Sequence, residues 1–129
     1  MPDQDTVTRL ARALPHVVPT EEHFGFAVHS GTRQRGFVWV WQERLAPHRP
    51  RVPNPGVVAV RVADLSVKEE LLAADPEVYF TESHYDGYPA VLVRLEAIGA
   101  IELEELLTDA WLCSAPPALV REFEAGLAD

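Results

Sequence analysis

The chain has 129 residues, 47% of them apolar, and carries 11 lysines and arginines against 20 aspartates and glutamates, a formal net charge of −9. That length fits one domain with a real hydrophobic core, and the composition is too apolar for a disordered chain. The excess of acid argues against a surface coated in basic charge for gripping nucleic acid or an anionic membrane.

Cys113 is the one cysteine, so no disulfide forms within the chain and a reducing compartment is expected. The first residues, Met1-Pro2-Asp3-Gln4-Asp5, are polar and acidic, unlike a secretory leader. No apolar run approaches the roughly 20 residues of a membrane helix. A soluble, cytoplasmic protein with no membrane partner is the expectation.

Val7, Leu10, Ala11 and Leu14 recur at helical spacing and predict a helix over 4–14, stopped by Pro15. Phe24, Phe26 and Val28 alternate as in a half-buried strand. Ser30-Gly31-Thr32 supplies turn chemistry, and Phe37 to Trp41 alternates again, which predicts a hairpin with Arg33 and Arg35 near its tip. Residues 44–56 contain Pro47, Pro50, Pro53, Pro55 and Gly56 and read as an extended loop rich in arginine. Val57 to Val62 is a β-branched strand. Ser66 and Glu69 have the spacing of a capping box, which predicts a helix over 67–74 with Leu71 and Leu72 inward. A short strand over 78–81 and an Asp86-Gly87 turn precede a strand over 90–95. Leu103, Leu106, Leu107, Ala110 and Trp111 predict a helix near 100–112. Pro116 and Pro117 open a last helix, with Leu119, Val120, Phe123 and Leu127 on its apolar side. Hairpins, long loops and no βαβ alternation predict a single α+β domain with a twisted, mostly antiparallel sheet and helices packed on one face.

Three stretches carry a resemblance. They are Glu22-His23-Phe24-Gly25, Val57 to Val62 leading into Glu69 to Pro76, and His84-Tyr85-Asp86-Gly87-Tyr88 before Val91 to Leu95. Together with the Leu103-to-Trp111 helix they resemble the MmcQ/YjbR family over about residues 6–125. The resemblance implies an α+β fold with projecting β-hairpins, and a DNA-binding role through that double wing. Arg61 departs from the family pattern, which often has lysine there. The family supplies no catalytic residues to carry over.

The charge is unevenly spread: residues 1–30 are net −2, residues 31–61 net +5, and residues 62–129 net −12. Arg33, Arg35, Arg49 and Arg51, with Arg44 beside them, are therefore the candidate phosphate contacts, because guanidinium pairs with phosphate in a bidentate fork. The competing reading pairs these arginines with the protein's own acids. A second candidate is an aromatic and histidine group, Trp39, Trp41, His84, Tyr85 and Tyr88, with His23 nearby. If the face they share is open, it is a small-ligand pocket or an adaptor surface for another protein. If it is covered, they are core.

No metal site or cofactor is expected, since His16, His23, His29, His48 and His84 lack ligand spacing. No nucleophile elbow, phosphate loop or carboxylate pair is present. Cys113 reads as a buried, inert thiol, and Glu102, Glu104 and Glu105 as helix-dipole partners. The expectation is a non-enzymatic binding module.

Overall fold

The computed structural model describes residues 2–128, with the side chains of residues 2–126. Asp3 caps the first helix, α1 (Gln4–Arg12), by accepting from the Thr6 amide while Thr6 reaches back to the Asp3 amide. The strands are β1 (Val17–Pro19), β2 (Gly25–Ser30), β3 (Arg33–Glu43), β4 (Val52–Arg61), β5 (Tyr79–Phe80) and β6 (Ala90–Arg94). The other helices are α2 (Leu65–Ala74), α3 (Ala100–Ser114) and α4 (Pro117–Ala128). The strands form one antiparallel sheet of six in the order β1-β2-β3-β4-β6-β5. The predicted α+β architecture is thus observed.

The period of two divides the strand residues between two unlike faces. Phe26, Val28, Val38, Val58, Val60, Val91 and Val93 point into the main core, where they meet Val7, Leu10, Leu103, Leu107 and Trp111 of the helices. Trp111 is fully buried, and its indole Nε1 donates to the Pro15 carbonyl at 2.9 Å, which ties α3 to the end of the α1 connection. The opposite face carries Val57, Ala59, Ala90 and Leu92 with Trp39, Trp41 and Phe80 around them. Among the described residues no α-helix covers that second face; the segment between β5 and β6 does, through Tyr85.

Three expectations are corrected. Residues 44–56 are not all loop: β4 begins at Val52, and Val52, Pro53 and Asn54 pair with Glu43, Gln42 and Trp41. The prolines are tolerated because β6 pairs with β4 only from Val57 onward, so one side of this stretch has no ladder to break. Between Val40 and Trp41 the partner jumps from Val58 to Asn54, so Pro55, Gly56 and Val57 have no partner on β3, a β-bulge in β4. Second, Ser66 and Glu69 form no capping box; α2 starts earlier, and Asp64 accepts from the Val67 amide at 3.0 Å. A carboxylate is a stronger acceptor for an orphan helix amide than a hydroxyl. Third, β1 was not anticipated, because three residues between Pro15 and Pro19 carry no periodicity. Leu119, Val120 and Phe123 of α4 pack on the core as expected, while Leu127 lies outside the described side chains.

Gly25 marks a close approach of chains. A Cβ there would lie 2.8 Å from the Val38 carbonyl, 2.9 Å from Thr20 Oγ1 and 3.0 Å from Trp39 Cα. Two of those atoms are backbone and cannot swing aside. Gly25→Ala is therefore expected to lower stability by about 1–3 kcal/mol. A thermal melt checks it, and an unchanged midpoint would show that β2 can shift freely.

Candidate functional site

The site is built on the sheet face that no helix covers. Trp39 on β3 and Arg61 on β4 project from it, and both are half-buried. Over them runs the 3-10 turn Ser83–Tyr85 and its continuation through Tyr88. Gly87 takes φ +73, a conformation open to glycine without strain, and the Tyr88 amide closes a turn on the Tyr85 carbonyl at 3.0 Å.

That segment is fixed from three directions. Lys68, 5% exposed, sends its Nζ from α2 to the carbonyls of Tyr85 at 2.6 Å and Tyr88 at 3.0 Å. Burial pushes the Lys68 amine below its ordinary pKa, and the charge of Asp86 opposes the shift. Trp39 Nε1 donates to the Tyr85 hydroxyl at 3.0 Å. Glu82 Oε1 accepts from Trp41 Nε1 at 3.1 Å and from Arg51 Nη1 at 2.9 Å, and Arg51 also donates to the Gln42 carbonyl at 2.7 Å. Burial alone would raise the Glu82 carboxyl; the hydrogen bonds and charge of Trp41 and Arg51 outweigh it and hold the group below the usual carboxylate range.

The aromatic group is therefore brought together, with one exception. Trp39, His84, Tyr85 and Tyr88 line a cleft of about 360 Å³. Trp39 and Tyr88 are also walls of a neighbouring cleft of about 380 Å³, which takes in Arg61, Glu22, His23 and Phe24. The Arg61 guanidinium lies 5.6 Å from the Trp39 ring and 5.8 Å from the Tyr88 ring. Its Nε donates to the Gly36 carbonyl at 2.8 Å, and its Nη2 to the Tyr88 hydroxyl at 3.3 Å. Trp41 stands apart: its ring meets Phe80 edge-on at 5.3 Å, and it lines a different hollow with Arg94 and Asn54.

The arginines are not brought together. Arg33 and Arg35 are exposed at the start of β3, while Arg44 and Arg49 are exposed on the loop beyond its other end. From Arg35 to Glu43 the strand runs about 27 Å at the usual rise. Arg51, half-buried, is committed to Glu82, the single ion pair among the described residues. Arg44 donates to the Arg49 carbonyl at 2.9 Å, which stiffens the loop.

Sequence reasoning missed Arg61, Glu82 and Lys68. Arg61 had one signal, its place in phase with Val57 and Ala59 on the face opposite Val58 and Val60. Cys113 is half-buried, and burial pushes its thiol up, which disfavours the reactive thiolate. Among the described residues no three His, Cys, Asp or Glu side chains converge as a metal site, and no helix is long and apolar enough to cross a membrane.

Glu82 makes the site sensitive to acid. Its pKa is depressed in the folded state, so its stabilisation is present above the ordinary carboxylate value and fades as pH falls through the folded one. Glu82→Gln is expected to flatten the loss of stability below about pH 4.5. Denaturant melts from pH 7 to 3 read this directly, and parallel curves for both proteins would exclude it. Lys68→Met removes the ammonium from two carbonyls, which keep only the Tyr88 and Ala90 amides as donors, and is expected to cost about 1–3 kcal/mol. It should also increase amide hydrogen exchange over residues 83–88, whereas unchanged exchange there would remove Lys68 from its clamping role.

No protein-family model matches the chain. The uncharacterized protein Rv2570 of Mycobacterium tuberculosis and the uncharacterized protein Mb2600 of Mycobacterium bovis are each 56% identical over 84 residues, a match spanning 65% of this chain and 65% of theirs. The crystal structure of Deinococcus radiodurans protein DR2400, a DUF419 domain, superposes with a TM-score of 0.70 over 96% of this chain and 89% of that one, at 22% identity. The chain thus has the fold of the DUF419 domain.

Proposed function

We propose that this chain is a non-enzymatic binding module of the MmcQ/YjbR type, whose ligand is a small planar molecule carrying a negative charge or a hydrogen-bond acceptor. The observation that carries this is the Arg61 guanidinium set between Trp39 and Tyr88 in an open cleft. Aromatic faces offer stacking for a ring. A guanidinium has five N–H donors, and Arg61 uses two of them on Gly36 and Tyr88. The rest are free to grip an acceptor at the ring's edge. The cleft volume of about 380 Å³ lies at the small end of ligand pockets, which run roughly 300–1,000 Å³. The absence of convergent catalytic groups in the sequence supports binding over turnover. The lone thiol suits a reducing compartment.

DNA contact through the hairpin wings is the second reading. The exposed guanidiniums of Arg33, Arg35 and Arg49 favour it. The commitment of Arg51 to Glu82, and the length of strand between the two arginine groups, weaken it as one continuous patch.

Tryptophan fluorescence separates the readings. Titration with benzoate, indole-3-carboxylate and adenosine is expected to give saturable quenching by at least one probe, lost in Trp39→Phe and in Arg61→Gln. No saturable change at millimolar probe would overturn the cleft reading. A 20-base-pair duplex that binds at low salt and is released steeply by added salt, with loss in Arg33→Gln and Arg49→Gln, would establish the DNA reading instead.

A further inference from the structure

Arg33 and Arg35 have a local setting that neither reading uses. In the β2–β3 ladder Ser30 pairs with Arg33 and Val28 with Arg35. Cross-strand partners share a face, and Val28 belongs to the helix-side core. Both arginines therefore point to the helix-bearing side, just past the edge of the core. They meet the junction of α3 and α4 there and line a cavity of about 310 Å³ with Val28, Ser114, Pro116 and Pro117.

Four features of this cavity fit an oxyanion. No acidic residue lines it, in a protein of net charge −9. Neither guanidinium makes a hydrogen bond or an ion pair among the described residues, where the sole ion pair is Arg51 with Glu82. Ser114 is 7% exposed, and by distance and angle its buried hydroxyl has no hydrogen-bond partner among the described residues; the neighbouring Cys113 thiol is its one alternative contact. A buried hydroxyl left in that state is costly unless something arrives to pair with it. Finally, α4 begins at Pro117 in the cavity wall, and the Ala118 amide, one residue beyond that lining, stays free, since Leu119 and Val120 turn theirs back to the Pro116 carbonyl.

We propose that this cavity is a second binding site, for the dianionic phosphate of a small phosphate monoester. Two guanidiniums two residues apart on one strand face stand about 7 Å from each other at their roots. They can grip two edges of a tetrahedral dianion, whereas a carboxylate offers one edge to one fork. The Ser114 hydroxyl donates to a third oxygen. Val28, Pro116 and Pro117 give the carbon portion of the monoester an apolar wall. A backbone diester carries one charge, which leaves one of the two guanidiniums without an anionic edge. The site lies on the opposite side of the sheet from Arg61 and does not depend on the cleft reading.

The test is heteronuclear NMR titration of the full chain with inorganic phosphate, glycerol 3-phosphate and acetate at pH 7.5. Saturable shifts at Arg33, Arg35, Ser114 and Ala118 are expected for both phosphates, with acetate much weaker. Arg35→Gln should weaken binding about tenfold or more, and Ser114→Ala about fivefold. Arg9→Gln, which removes the same charge from an exposed position on α1, should change nothing. Thermal melts of each variant establish that it is folded. Absence of saturation at 20 mM phosphate, equal binding of acetate, or equal weakening by Arg9→Gln would overturn the proposal. So would a duplex that displaces phosphate from the same residues at low salt.

Discussion

An ammonium group in the interior is expensive unless its protons are taken up. Lys68 Nζ meets that demand with two backbone carbonyls, Tyr85 and Tyr88, in the segment that Trp39 and Glu82 also hold against the sheet. The constraint runs in both directions. The lysine needs acceptors because it is buried, and the two carbonyls, which already accept the Tyr88 and Ala90 amides, turn their second lone pairs to it. The result is a loop held at a fixed height over β3, β4 and β6. Tyr85 then closes the second apolar face, and Tyr88 is placed against Arg61. Without this fixture Trp39 and its neighbours would be an exposed apolar patch rather than the wall of a cleft.

Charge in this protein is arranged by face more than by total. The acids of α3, Glu102, Glu104, Glu105 and Asp109, are exposed on the helical side. The basic middle of the chain is distributed over four places: Arg44 and Arg49 lie on the exposed loop after β3, and the other arginines have three separate uses. Arg51 is neutralised by Glu82 and secures the end of the site. Arg61 lies among aromatic rings, where its weak hydration and flat shape suit it better than lysine would. Arg33 and Arg35 stay unpaired at the α3–α4 junction. A net +5 over residues 31–61 therefore does not amount to one basic surface. This is why the segment sum, taken along the chain, exaggerates the appeal of a single phosphate track.

Much of the fold was legible because the hydrophobic period is set by one-sided burial. Val58 and Val60 against Val57 and Ala59, and the Leu103-to-Trp111 stripe, report directly which faces meet apolar surroundings. Most of what escaped depended on neighbours distant in sequence, and the α2 cap on a choice between two nearby residues. Pro53 looks incompatible with a sheet until β6 is seen to end short of it. Asp64 outcompetes Ser66 as cap by a choice that spacing alone does not decide. The site divided the same way. The aromatic residues were found because bulky rings on alternate positions are conspicuous. Arg61, Glu82 and Lys68 were not, because a single charged residue in a chain gives no sign of whom it will face: Glu82 is 31 residues from Arg51 and 41 from Trp41.

The strand β3 connects the two candidate sites more closely than their separation across the sheet suggests. Arg33 and Arg35 serve the helical side, Gly36 accepts from Arg61 on the other, and Trp39 follows three residues later. Between them the register with β2 breaks after Phe26, where Phe37 is the extra residue and turns into the core. That bulge is what lets one strand present arginines to one face and an indole to the opposite face within a few residues. It also means that the two faces are not independent surfaces. A backbone fixed at Gly36 by the Arg61 guanidinium is a backbone fixed next to Arg35, so the rigidity of the aromatic cleft carries over to the arginine pair on the far side of the same strand.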